Sequence, residues 1–387
     1  MEVIQLEALG FQTIGNRRLI SNNEPLPQNG NVMILDTNVI KDISSFYYGN
    51  KRKHDDDLYI LTKYIRRQTK STQHSFGPCG LCYELGLSEL CLSRDDSVNY
   101  SLFRSYGSAI CKVLTAPNDE YMNIFENHTG ATYNVDDSQD MSIANTIGRE
   151  TIYLPIFYGS LLHLLFIRND KKNRGKDPIE LFKQHYEWEQ EELGFVSAYP
   201  TLLALYQLVG KDGTGDKKQY RGKTRHLTKL DPQQIKHPND LAKCAWNAAW
   251  DISFLSRLIS YQNGEVTRIL CGTAHPFPAV LISKDFNPAW LSYTTDPIGP
   301  ALLPDRDSAL PAVEPKSDFF DSYGTMPPDK RNATWAKILS AKKQRTKAPK
   351  SAEERTEMVL PCIERMEHDA GITPSRFDLL QDNNLAV

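Results

Sequence analysis

Six residues, Asn31 to Asp36 (NVMILD), constrain this chain more than any other segment. The run is too short for a helix and too uniformly apolar for a strand with one wet face. A turn-forming cluster, NNEPLPQNGN, leads into it, and the short polar residues Thr37 and Asn38 follow. That pattern reads as a strand covered on both sides, as parallel strands in α/β proteins are. Asp36 closes the strand. A carboxylate at the carboxyl end of a buried strand stands where α/β sheets place their ligands. Thr37 and Asn38 can hold it by hydrogen bonds. The competing reading is that Asp36 caps the helix that follows, a common role for Asp.

The rest of the chain supplies the helices such a strand needs. Periodic apolar residues predict helices around 55–69, 79–94 and 101–115. Residues 116–230 read as a large helical insertion, with helices at 137–147, 151–168, 178–193 and 198–209, then a Gly- and Lys-rich loop over 210–229. Its most apolar stretch, Tyr153–Ile167, is too short to span a bilayer and reads as a buried core helix. A long helix follows the turn His237-Pro238-Asn239, with Asn239 as its cap, and runs to the turn Asn263-Gly264. VTRILCG (266–272) reads as a second buried strand and AVLIS (279–283) as a third. Beyond 291, Pro, Asp and Ser become frequent, and 351–370 reads as a terminal helix. This order favours an α/β fold. The expected divisions are 1–115 and 231–290 as two halves of one core, 116–230 as the insertion and 291–387 as a C-terminal extension.

A chain of 387 residues with a formal charge of −3 can bury a sizeable core, and its charge argues against a histone-like polyanion binder. Seven cysteines, an odd number, and a start without a basic region and apolar stretch lead us to expect reduced thiols and a cytoplasmic location. In that compartment the N-x-S/T triplets at Asn99, Asn127 and Asn332 carry no meaning. Cys79-x-x-Cys82, with Cys91 and His74 nearby, lacks a second pair at zinc-site spacing and reads as buried thiols. Neither Gly-rich phosphate-loop motif is present.

Three further segments carry candidate chemistry. In GLCYELGLSEL (80–90), Glu84 falls within an apolar helical pattern, and Glu89, five residues on, falls on a different face. Glu84 is therefore the expected inward carboxylate, since charged residues are rarely buried without a partner or a metal. In the long helix, Asp240 to Asn247 is seven residues and Asp240 to Asp251 is eleven. At about 100° per residue, all three lie within roughly 20° of one stripe. A wet face would put them there too, but the helix has few other polar residues. RILCGTAHPF (268–277) then ends an apolar run in Thr273 and His275.

Together these pieces resemble the PIN-domain nucleases, a metal-dependent family with a three-layer α/β/α core and a parallel sheet. ILDTNVI with Asp36 carries most of the likeness, which covers about 31–95 and 236–285. The resemblance implies that Asp36, Glu84 and Asp251 hold Mg²⁺ or Mn²⁺, with Asp240 as a further catalytic carboxylate. Thr37, Asn38, Asn247, Thr273 and His275 would support them. Two departures stand out: 156 residues separate Glu84 from Asp240, and His275 takes the place of a family Asp. Histidine suits Mn²⁺ better than Mg²⁺.

The family implies a phosphodiester-hydrolysing endonuclease, on RNA rather than DNA, in the manner of a toxin or host-defence effector restrained by an inhibitory protein or nucleic acid. A weakened PIN-like scaffold that binds nucleic acid or protein without cutting is the alternative, and a metal hydrolase of small phosphate esters is a third. No membrane partner is expected. Residues 217–229 hold six Lys/Arg and no acid. Of these, Lys217, Lys218, Arg221, Lys223 and Arg225 are the expected contacts to phosphates, unless the run is simply a solvated loop. Residues 330–350 form a second basic run, read as an exposed tail.

Overall fold

The computed structural model describes residues 5–6, 9–21, 31–49, 56–76, 80–95, 97–127, 140–193, 198–210, 220–229, 235–264, 276–301, 310–316, 319 and 352–377. The chain is an α/β protein, mostly helical, and divides into two compact units. The first comprises 1–151, 254–292 and 376–387; the second comprises 152–253 and 293–375. The expected insertion is thus displaced: residues 116–151 belong with the core, while 231–253 and most of the C-terminal third belong to the second unit.

The first unit is built on one mixed sheet. Its strands are β1 (Gln5–Leu6), β2 (Gln12–Ile14), β3 (Arg17–Ile20), β4 (Val32–Leu35), β5 (Leu81–Cys82) and β6 (Ala279–Ser283), in the order β1-β2-β3-β6-β4-β5. Every residue of β4 and of β6 is buried, as their continuous apolar runs predict. β4 pairs in parallel with both β5 and β6, and Leu35 aligns with Ile282. The carboxyl ends of β4 and β6 therefore finish side by side. β6 meets β3 antiparallel, so the parallel character expected from the sequence holds at the centre and fails at the edge.

Four helices pack around these strands. α1 (Thr37–Tyr47) turns Val39, Ile40, Ile43 and Phe46 inward. α2 (Asp56–Phe76) buries Leu58, Leu61 and Ile65. α3 (Glu84–Cys91) and α4 (Tyr100–Thr115) pack against α1. α5 (Asn118–Asn127) and α6 (Asp140–Glu150) complete the helices of this stretch. Gly86 sets how closely α3 approaches the strand end. A methyl group there would lie 2.8 Å from the Leu35 carbonyl oxygen and 2.5 Å from Ile40 Cδ1, so only glycine admits this contact.

The second unit has its own core around α7 (Leu154–Asn169), which is buried nearly all round, as the apolar Tyr153–Ile167 stretch predicts. α8 (Pro178–Glu192) and α9 (Ala198–Ala204) pack on it, α9 running on into a wide turn at Leu205–Val209. α10 (Tyr220–Leu227) is a helix where a loop was expected. Tyr220, Thr224 and Leu227, at i, i+4 and i+7, are all buried and anchor it despite the surrounding charge. α11 (Pro238–Gln262) belongs to the second unit through residue 253 and to the first from 254. α12 (Phe286–Tyr293) belongs to the first unit through residue 292, and α13 (Ala352–Ala370) of the second unit packs on α7 and α8. No single described helix is long and apolar enough to cross a membrane.

Candidate functional site

Asp36 occupies the capping position of α1, yet its side chain makes no capping hydrogen bond. The capping explanation therefore does not account for this carboxylate. It turns instead toward the end of β6, where the Ser283 hydroxyl donates to its Oδ2. Asn38 Nδ2 donates to the same oxygen at 2.8 Å and to Asp285 Oδ2 at 3.1 Å. Asn38 Oδ1 accepts the Lys284 backbone N–H at 3.0 Å, and Ser283 Oγ accepts that of Asp285 at 2.9 Å. Asn38 and Ser283 are thus each held on two sides, and one amide bridges two carboxylates.

The third acid is Glu89. Thr37 Oγ1 donates to its Oε2 and also reaches the Gly86 carbonyl oxygen at 3.4 Å. Gly86 lies one turn before Glu89 on α3, so the close approach permitted by the missing side chain delivers Glu89 to the strand end. Asp36 is buried, Glu89 keeps part of its surface in water and Asp285 is exposed, so the corner is open to solvent.

The electrostatics follow from this crowding. Burial, reinforced by the Asp285 charge, pushes the Asp36 carboxyl up to about 6, against the hydrogen bonds from Ser283 and Asn38. Burial and then the charges of Asp36 and Asp285 push Glu89 up to about 8, with Thr37 and Lys41 opposing. The Asp285 charge thus raises the proton affinity of Asp36, and the Asp36 and Asp285 charges raise that of Glu89, at the ends of two parallel strands. Asp42, one turn into α1, is the contrast: Arg17 Nη2 sits 2.8 Å from its Oδ2 and Lys284 pairs with it as well.

The sequence expectations divide sharply. Asn38 holds Asp36 as anticipated, whereas the Thr37 side chain holds Glu89 instead. Glu84 does not join them. It stands in the first turn of α3, its Oε2 accepts the Tyr83 N–H at 3.0 Å, and the nearby charges on it are those of Glu150 and Arg149. Five residues on a helix rotate a side chain by about 140° net, which is why Glu89 and not Glu84 faces Asp36. The strand beside β4 is 279–283, so Ser283-Lys284-Asp285 holds the place assigned to Thr273 and His275. Those two residues lie outside the described residues. The signal that could have found Asp285 was the S-K-D following AVLIS, a strand end of the same type as ILD.

Asp240, Asn247 and Asp251 fall in the second unit. They lie on the stripe of α11 that is not fully buried, together with Lys243 and Cys244, which is the wet-face alternative. Asp240 accepts the backbone N–H groups of His237 at 2.9 Å and Lys236 at 2.8 Å, and these bonds hold its carboxyl below the usual range. Its role is to tie off the start of α11. Arg221, Lys223 and Arg225 lie on α10; Lys217 and Lys218 are outside the described residues, as is the basic run 330–350. Cys79 is outside them too, and the thiols of Cys82 and Cys91 are buried and pushed up by that burial.

Among the described residues, no three His, Cys, Asp or Glu side chains already stand in an arrangement that would close on one metal ion. A cleft of about 450 Å³ lies on the second unit, lined by His163, Trp188 and residues of α8, and holds none of the three carboxylates. The chain matches no protein-family model, no curated protein and no solved structure. The residues themselves carry the reading that follows.

Proposed function

We propose that the chain is a metal-dependent nuclease of PIN-like type, hydrolysing phosphodiester bonds of RNA, with Asp36, Glu89 and Asp285 as its acidic centre. The observation that carries this reading is the convergence of three mutually repelling carboxylates at the carboxyl ends of two adjacent parallel strands. Such repulsion costs stability, and a divalent cation is the partner that offsets it. All three groups are carboxylates, the oxygen donors that Mg²⁺ or Mn²⁺ takes, and they would have to draw together to close on one ion. Asp36, Asp285 and Glu89 are the residues that would hold the ion. When bound, it supplies charge neutralisation at the scissile phosphate and a more acidic attacking water.

The remaining chemistry belongs to the chain. Asn38 fixes Asp36 and Asp285 relative to one another through its single amide. Ser283 keeps the Asp36 carboxylate aimed along the strand end. Thr37 holds Glu89 at the strand end through its hydroxyl, which donates to Oε2. On the second unit, independently of that centre, Arg221, Lys223 and Arg225 of α10 are cations of the kind a nucleic-acid backbone binds. A role as a toxin or defence effector follows from the resemblance to that family.

The test is cleavage of 5′-labelled RNA by the purified chain with Mg²⁺ or Mn²⁺. Wild type should cut and Asp36→Asn should not. Equal cutting by both would overturn the site. No cutting by either, together with no divalent binding by calorimetry, would favour a non-enzymatic scaffold.

A further inference from the structure

We propose that the cleft on the second unit binds a linear polyamine, with the open ring nitrogen of His163 as its acceptor. His163 lines the cleft from α7 and lies flat on Trp188 of α8, ring centroids 4.0 Å apart. Its Nδ1 is 3.0 Å from Nδ1 of His185, so Nε2 is the nitrogen left for the cleft. His185 is fully enclosed. Burial pulls both imidazoles well below their ordinary value, so each ring is neutral and carries one proton. Only one proton fits between the two Nδ1 atoms, and either ring can supply it.

Glu189 decides which ring does. Its Oε1 lies 3.7 Å from His185 Nε2, a buried nitrogen that makes no hydrogen bond. The carboxylate accepts the Ser160 and Thr201 hydroxyls, so it presents an acceptor to His185 as well. If His185 donated from Nδ1, its Nε2 would turn a lone pair on those oxygens. The His185 proton therefore sits on Nε2, facing Glu189, and its Nδ1 accepts from His163. His163 is then the Nδ1–H tautomer, and a bare Nε2 lone pair faces the cleft. A buried acid thus sets the hydrogen-bonding sense of an open surface through two rings.

The charges around that lone pair select the donor. Lys183 lies 3.6 Å from Glu187, Lys176 Nζ donates to Asn173 Oδ1 at 2.7 Å, and Glu192 takes Arg365 at 2.7 Å. Glu180 and Glu191 also line the cleft, and among the described residues neither has a cationic partner. What stays open is an acceptor nitrogen and two anions beside an indole. A ligand with both N–H donors and positive charge complements that set, and an indole favours a cation. The cleft, about 450 Å³, has the size of a site for a small organic molecule. Glu180 and Glu191 are eleven residues apart on α8, about 16 Å along its axis and within roughly 20° of one face. A chain with ammonium groups several carbons apart spans that distance, and a single amine does not. Every residue of this cleft belongs to the second unit, so the polyamine site stands or falls apart from the acidic centre.

The experiment titrates the full chain by calorimetry at low salt with spermine and with decamethonium, which carries charge at both ends and no N–H. Spermine should bind, and decamethonium should bind about tenfold more weakly or less well still. Glu180→Gln/Glu191→Gln changes two exposed positions of α8 and should weaken spermine about fivefold without disturbing the fold. His163→Phe keeps a ring on Trp188, removes the acceptor and should weaken spermine about tenfold. Long-range ¹H–¹⁵N NMR of histidine-labelled protein should show His163 with Nε2 unprotonated. No spermine binding by the wild type, equal affinity for the two cations, or wild-type affinity of the double Gln variant would overturn the proposal. A protonated His163 Nε2 would overturn it as well. Asp36→Asn should bind spermine like wild type, so loss of cleavage and loss of polyamine binding report on separate claims.

Discussion

Two buried carboxylates, one in each unit, are treated in opposite ways. In the second unit Glu189 is fully enclosed, yet Ser160 Oγ donates to its Oε1, Thr201 Oγ1 donates to its Oε2 at 2.5 Å, and His185 Nε2 lies 3.7 Å away. His185 in turn meets His163, Nδ1 to Nδ1, at 3.0 Å, and His163 stacks on Trp188 at 4.0 Å. Burial keeps both imidazoles neutral: it pulls His163 down to about 3 and His185 well below its ordinary value, the latter with help from His163. That network supplies its carboxylate with donors. In the first unit Asp36 has donors too, but the Asp285 charge opposes it, and its own charge in turn opposes Glu89. A buried acid surrounded by donors is a structural element, whereas buried acids that repel one another call for a ligand that the fold alone does not supply.

The contrast breaks first on activity. Asp36→Asn should lower RNA cleavage about a thousandfold or more, roughly 4 kcal/mol in barrier height, while thermal unfolding stays near wild type or rises. An Asn keeps the shape and removes one of the repelling charges. A variant that lost its fold along with its activity would place Asp36 with Glu189 as a structural acid.

Glu189→Ala should do the reverse. It removes the acceptor of the buried Ser160 hydroxyl and opens a void beside His185, at a cost of about 3 kcal/mol. Urea unfolding followed by tryptophan fluorescence reads it, since Trp188 stacks in the same network. A cost below about 1 kcal/mol would show that the donors find other partners, and the distinction between the two acids would fail.

The pH dependence sharpens the comparison. Glu89 has its ordinary value of 4.5 when unfolded and about 8 when folded, so the folded state binds the proton more tightly. Its contribution to stability is complete below about 4.5 and is lost as pH rises through about 8. Asp36, raised from 3.8 to about 6, acts in the same direction over a lower window. Burial first and then the Asp36 charge set the size of the effect at Glu89, with Asp285 adding to it and Thr37 and Lys41 opposing it. Relative to Glu89→Gln, the wild type should lose on the order of 2 kcal/mol between pH 5 and pH 8.5. Equal slopes for the two proteins would mean that Glu89 is not held among opposing charges.

How much of this was readable beforehand follows from which residues depend on local pattern. Asp36, Thr37 and Asn38 were legible because a buried strand and its end are written in consecutive residues. Asp285 was not, because VTRILCG and AVLIS are equally apolar, and pairing with β4 is decided by tertiary contact. α10 was missed because its Gly and Lys content hid an anchoring face of only three residues. The stripe of Asp240, Asn247 and Asp251 was legible as geometry but not as chemistry, since helical phase says which residues share a face and not what that face meets.

Glu84 against Glu89 is the closest decision, and its test has the smallest expected effect. Periodicity could not separate them, because the phase depends on where α3 begins. β5 holds Leu81 and Cys82 in strand pairing with β4, so the helix cannot start before them. With the start at Glu84, the close approach at Gly86 turns the later residues, Glu89 among them, toward Thr37. Glu84 is left to accept the backbone N–H of Tyr83, a bond that a Gln oxygen reproduces. Glu84→Gln should therefore change cleavage by less than about threefold, roughly 0.7 kcal/mol, while Glu89→Gln should cost far more. The reverse order, with Glu84→Gln inactive and Glu89→Gln active, would move the acidic centre along α3 to the side of Glu150. It would also mean that the repulsion at the strand end is strain the fold tolerates without using it.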